Sequence, residues 1–339
     1  MTYEPAIDVD ALRAIDVHVH AGVTTRQPAP PGLADRPPGV ADIQRRIGAG
    51  QQTLDQTATY YRERKIACAI WGVDLQSTIG TRAGAVGNDE LLEAAGQHND
   101  VFVPFVMVDP WRGKAAARDG ERLIAAGARG FKFHPPSQGF FANERRCYEL
   151  YEVIAAAKLP ALFHTGQTAV GQGAPRGGGI RLKYGNPMYL DDVAVDFPDM
   201  PIILAHPSFP WQDEALAVAL HKPQVYIDLS GWSPKYFPPQ LIQYANTLLK
   251  HKVLFGSDHP MITADRWLAD FEQAGFRDEV RPLILKENAA SLLGLRASQR
   301  AVQGSLGAPR EAPRTDAPVV RSPEGGRRRR ARRPNAAHG

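Results

Sequence analysis

Residues 14–22 read AIDVHVHAG, and the chemistry open to this stretch is metal binding. In an extended strand Asp16, His18 and His20 share one face while Ile15, Val17 and Val19 take the other. Paired imidazoles on one face are good ligands for a divalent metal, although a half-buried edge strand would carry the same pattern. Other short apolar runs end in residues of similar chemistry: His164 after ALF, His206 after IILA, and Asp258 after VLFGS. Lys132 and His134 stand two apart in GFKFHPP.

The elements that would position these residues follow from the hydrophobic pattern. Strands are expected near 14–20, 66–72, 101–107, 129–134, 160–165, 201–206, 225–229 and 252–257. Helical patterns cover 88–97, 114–126, 144–157, 211–221 and 239–250. Strands alternating with helices imply a parallel sheet, and eight such units in one domain over 1–295 predict an α/β fold, the (β/α)8 TIM barrel. An open doubly wound sheet would compete, but no strand runs into GxGxxG or a Walker-type loop. A barrel gathers the C-terminal ends of its strands at one mouth, so His18, His20, His164, His206 and Asp258 should converge on one metal site.

Two long loops would emerge at that mouth, proline-rich 21–40 and glycine-rich 166–187; such loops are usually functional. They carry Arg26, Arg176 and Arg181, candidate contacts for an anionic small-molecule substrate. Trp71, Trp111, Phe140, Phe141, Trp211 and Trp232 lie near strand ends, where they would serve as core, rim or pocket aromatics. His259 should face away from Asp258.

Of the 339 residues, 43% are hydrophobic and 22% charged, and no run approaches a membrane span. Cys68 and Cys147 form no CxxC pair and suit a reducing compartment. The N-terminal MTYEPAIDVDALRAI lacks the basic and apolar regions of a signal peptide, so a cytoplasmic location is expected. The net charge of +4 conceals an asymmetry: residues 296–339 hold 11 arginines against three acids, a net of +8, which leaves −4 on the rest. That Arg/Pro/Ala-rich tail is expected to be disordered. With no companion basic patch on the body, neither a nucleic-acid nor a membrane partner is expected.

The DxHxH of 16–20, the HTG at 164, the HPS at 206, the GSD ending at 258 and the closing NAASLLGL together resemble the amidohydrolase superfamily. The likeness is to its amidohydrolase-2 branch, with the aminocarboxymuconate semialdehyde decarboxylase relatives, over about residues 12–295. It implies His18, His20, His164 and Asp258 as ligands of one divalent ion, zinc first, with manganese, iron or cobalt as alternatives. It also implies His206 as a catalytic residue, and Asp258 as both ligand and proton carrier. Lys132 and His134 are then pocket residues, or, with Lys132 carbamylated as in some superfamily members, part of a second metal site. A homodimer is an assembly the branch admits. The branch contains hydrolases, in which metal-activated water attacks a carbonyl, and nonoxidative decarboxylases of aromatic or muconate-type acids. The strings around 182–220 and 226–241 are most similar to 4-hydroxyphenyl-β-ketoacyl-CoA hydrolase-type proteins. That favours hydrolysis, by retro-Claisen cleavage of a β-ketoacyl-CoA, with decarboxylation as the alternative.

Overall fold

The computed structural model describes residues 3–26, 52–74 and 84–295, all within one compact unit, Met1–Ser298. The expected disordered tail and most of the first long loop lie outside the described residues. Eight parallel strands run in the order β1 to β8: Ala14–His20, Ile66–Trp71, Phe102–Met107, Gly130–Phe133, Ala161–His164, Ile202–Ala205, Val225–Asp228 and Val253–Leu254. Nearly every strand residue is buried, as expected where helices cover the outside and side chains fill the inside. The ring closes between β8 and β1 through backbone bonds. Val17 N–H donates to Phe255 O, Asp258 N–H to His18 O and His20 N–H to His259 O, at 2.9, 3.0 and 2.9 Å. The fold is a TIM barrel.

Asp16 reinforces this seam. Its buried carboxylate accepts the Ser257 N–H (2.9 Å), the Ser257 hydroxyl (2.5 Å), the Tyr61 hydroxyl (2.8 Å) and the His18 N–H (3.0 Å). Burial pushes its carboxyl up to about 7 against the pull of the Ser257, His18 and Tyr61 hydrogen bonds. The structure therefore puts the first acid of the DxHxH string to work holding strands together.

The helix 88–97 forms as Asn88–Gln97, whereas 239–250 holds helical geometry only over Pro239–Ala245. Helices at Leu54–Glu63, Met188–Asp196 and Ala264–Phe271 add to those the sequence pattern predicts. The first begins with a reciprocal Thr53–Gln56 capping box. The third buries Ala264, Trp267, Leu268 and Phe271, one helical stripe, and its Trp267 Nε1–H donates to Leu229 O at 3.1 Å behind β7. Cys68 and Cys147 are buried and unpaired. Among the described residues no helix is long and apolar enough to cross a membrane.

Candidate active site

His18 and His20 leave β1 at its C-terminal end, and Asp258 follows β8. His20 Nε2 lies 2.9 Å from Asp258 Oδ1, and His18 Nε2 lies 3.3 Å from the same oxygen. Two imidazole nitrogens and one carboxylate oxygen thus come within reach of a single cation. Asp258 has φ +70°, a left-handed conformation that a residue with a Cβ holds only at a cost, and often at functional sites. Burial opposes its charge, but the His20 hydrogen bond and the surrounding imidazoles outweigh it and hold the carboxyl at about 2.

Behind this cluster stands a residue absent from the sequence-based candidates. Asp228, at the end of β7, places Oδ2 2.9 Å from His18 Nδ1, and its Oδ1 accepts the Ser230 N–H at 2.8 Å. Burial drives the His18 pKa well below its ordinary value, so the ring is neutral. An ionised carboxylate only accepts, which puts the His18 proton on Nδ1 and its lone pair on Nε2. His18 Nε2 and Asp258 Oδ1 therefore face each other as two acceptors, an arrangement that calls for a cation.

Ser230 Oγ lies 2.9 Å from both His18 Nδ1 and His206 Nδ1, and His206 Nε2 lies 3.0 Å from His164 Nδ1. If His206 donates from Nδ1 to Ser230, its Nε2 accepts the His164 Nδ1–H. His164 Nε2 is then left with a lone pair, and that atom is buried without a partner among the described residues. Burial keeps both rings neutral. His206, placed by sequence in a catalytic role, has both ring nitrogens engaged here. Its φ is +71°, and the close packing against it requires Gly231, where a Cβ would stand 2.5 Å from His206 Nδ1. His164 falls outside the compact His18–His20–Asp258 cluster; its ring stacks on His134 at 4.0 Å and 15°.

These groups open into a cavity of about 520 Å³ whose wall includes Lys132, Trp71, His134, Ser137, Met107, Trp232, Met261 and Ile262. Lys132 is 1% exposed, and its Nζ lies 3.4 Å from His18 Nε2. Burial brings it down to about 7, partly offset by Asp228 and Asp258. Gln167, Thr168, Ala169, Val170 and Gln172 of the second long loop also line the cavity. The charged part of that loop does not: Arg176 and Arg181 are exposed and absent from the wall. Arg26 is ion-paired with Glu93, also off the wall. Of the sequence-selected aromatics, Trp71 and Trp232 line the cavity, and Phe140 is buried in the core. His259 faces away, bonded to Gln52 and stacked on Tyr60.

Eight strands that bring histidines and an aspartate to one mouth define a (β/α)8 barrel of the kind that supports metal-assisted chemistry. The chain belongs to the amidohydrolase family, of the amidohydrolase-2 type, whose model matches residues 15–295; it is an enzyme of that superfamily. No curated protein matches the sequence significantly. Among solved structures, an uncharacterized TIM-barrel protein from Bordetella bronchiseptica superposes with a TM-score of 0.63 at 22% identity, over 83% of this chain and 98% of that one. A dihydroxybenzoic acid decarboxylase from a Polaromonas species, with bound manganese and the inhibitor 2-nitroresorcinol, gives 0.59 at 17% over 84% and 98%. A probable 2-pyrone-4,6-dicarboxylic acid hydrolase from Acinetobacter baumannii, with citric acid bound, gives 0.55 at 17% over 84% and 100%.

Proposed function

We propose that the protein is a divalent-metal-dependent enzyme that removes the carboxyl group of a small aromatic carboxylic acid, using one ion held by His18, His20, His164 and Asp258. The observation that carries this reading is the pair of facing acceptors, His18 Nε2 and Asp258 Oδ1, 3.3 Å apart. A cation between them turns repulsion into ligation, and the unpaired His164 Nε2 offers a further neutral donor atom. Three imidazoles and a carboxylate suit zinc and also manganese, the metal in the Polaromonas decarboxylase.

When bound, the ion supplies Lewis acidity toward a carboxylate or hydroxyl oxygen of the substrate. Asp258, ionised at neutral pH, takes the proton of a ring hydroxyl and returns it to the ring carbon that bears the carboxyl group. The bond to the carboxyl carbon then breaks, its electron pair rejoins the ring, and CO2 leaves. The hydroxyaryl carboxylate thus becomes the ring phenolate and CO2, and a proton from solvent then restores the hydroxyl.

Hydrolysis is the second reading, supported by the same ionised Asp258, which could instead take a proton from attacking water, and by the likeness to the Acinetobacter protein. Among the described residues the wall carries one ammonium, Lys132, and the three loop arginines singled out from the sequence stand off it.

The test is turnover of 2,6-dihydroxybenzoate, 5-carboxyvanillate and 2-pyrone-4,6-dicarboxylate in 18O-labelled water with zinc or manganese added. Release of CO2 without label in the organic product is expected, with a loss of about a thousandfold or more in His18→Ala and Asp258→Ala. Label in a ring-opened product would establish hydrolysis in its place. Turnover that survives chelation and both substitutions would remove the metal reading.

A further inference from the structure

We propose that Lys132, Trp71 and Ser137 form the recognition site for one oxyanion of the substrate, a single carboxylate carried on an apolar body. The inference deepens the reading above and rests on it. Lys132 is buried within β4, and among the described residues no carboxylate oxygen comes within ion-pair distance of its Nζ. Its neighbours are a lone pair, His18 Nε2 at 3.4 Å, and a ring face, Trp71 at 4.6 Å. A metal at His18 Nε2 would claim that lone pair. Among the described residues Trp71 Nε1 and Ser137 Oγ are likewise buried without a hydrogen-bond partner, and all three residues line the same cavity.

Buried donors without acceptors are rare in folded proteins because desolvating them is costly. Here an ammonium, an indole N–H and a hydroxyl belong to residues that line one cavity. Trp71 Nε1 only donates, as does Lys132 in its ammonium form, so a ligand that satisfies them accepts several hydrogen bonds and carries negative charge, as a carboxylate does. The remainder of the wall limits what the carboxylate is attached to. Val73, Val86, Met107, Trp232, Met261 and Ile262 offer apolar surface, suited to an aryl or alkyl body and unsuited to a polyphosphate.

Calorimetric titration of the zinc-loaded full-length protein with benzoate, 2-naphthoate and 3-phenylpropanoate, each against its neutral amide, tests the proposal. At least one acid should bind about tenfold tighter than its amide, and Lys132→Met should erase that preference with zinc per chain unchanged. Trp71→Phe and Ser137→Ala should each weaken the acid about threefold to tenfold and leave the amide alone. They carry the test should Lys132→Met fail to fold. Lys132→Arg should keep part of the preference. No acid preference in any pair, or a preference intact in a zinc-loaded Lys132→Met, overturns the proposal. So does carbamylation of Lys132 with a second metal per chain, because the carbamate would consume the amine. If the wild type holds no zinc yet keeps a preference that Lys132→Met abolishes, the recognition site stands and the metal reading falls.

Discussion

The two sides of the barrel mouth are built on opposite terms. Where β1, β7 and β8 meet, polar atoms are largely paired: His20 with Asp258, His18 with Asp228, and Ser230 with both His18 and His206. At the ends of β2, β4 and β5, among the described residues, Trp71 Nε1 and His164 Nε2 have no hydrogen-bond partner, nor has Ser137 Oγ just beyond β4, and Lys132 has no carboxylate within ion-pair distance. A buried network that satisfies itself is rigid and fixes geometry, whereas a buried set left open stores affinity for whatever fills it. The first side is suited to holding a charge in place, and the second to receiving a substrate.

Acid should strain both sides and produce the largest effect. Burial lowers the pKa values of His18, His134, His164 and His206, and brings His259 down to about 4. A histidine whose folded pKa lies below its unfolded value of about 6.5 stabilises the fold above pH 6.5 and loses that contribution as pH falls toward the folded pKa. For His259 alone the loss amounts to about 3 kcal/mol. Its Nδ1 is buried with no partner, so a proton there would find no acceptor among the described residues. The thermal midpoint of the metal-free protein should therefore drop from pH 7 to pH 5, with the raised Asp16 carboxyl offsetting part of the fall, and drop less in His259→Phe. A midpoint flat across that range would mean these rings are already protonated or open to water.

A smaller effect distinguishes the paired side. Asp228→Asn keeps an oxygen near His18 Nδ1 but removes the charge that fixes the proton there. Partners of ligand histidines typically matter by about 10- to 100-fold in metal affinity, and zinc affinity measured by chelator competition should fall by that much. The fall should come without comparable loss of carboxylate binding to metal-saturated protein. Equal losses in both would mean that the two sides form a single network.

Much of this site is legible in sequence because its parts obey one rule, a metal-binding or proton-carrying side chain at the end of an apolar strand. The strands are plain because parallel strands buried on both faces read as apolar runs. β8 is shorter than its apolar run suggests: its pairing with β7 ends at Leu254, Phe255 O turns to Val17 of β1, and Gly256 packs where a Cβ would come within 3.0 Å of His18 and Asp228. Asp228 obeys the strand-end rule in VYIDL and can be found by it. Ser137 cannot, since nothing local separates it from a surface serine in HPPSQ. The loop arginines mislead because charge near a mouth in sequence does not fix direction in space: Arg26 turns to Glu93, while the wall takes the uncharged start of the second loop. The helix at 188–196 is hidden by its position directly after a glycine-rich loop.

The smallest predicted effect probes the open side without touching an open donor. His134 stacks on His164 at 4.0 Å, and its Nδ1 accepts the Ser137 N–H at 3.2 Å. The ring thus braces a metal-ligand candidate and also bonds to the turn that carries Ser137. Phenylalanine retains the flat ring and deletes the acceptor, while alanine deletes both. Stacked rings contribute about 0.5–1.5 kcal/mol beyond their buried area, so zinc affinity should hold in His134→Phe and drop up to about tenfold in His134→Ala. Binding of an aromatic carboxylate should weaken slightly in both, because both delete the Nδ1 acceptor beside Ser137 while the backbone bond from its N–H to His134 O, at 2.9 Å, keeps the turn. If phenylalanine costs zinc affinity as much as alanine does, the imidazole nitrogens of His134 act on the metal directly, and the division between a paired and an open side would have to be redrawn with His134 among the ligands.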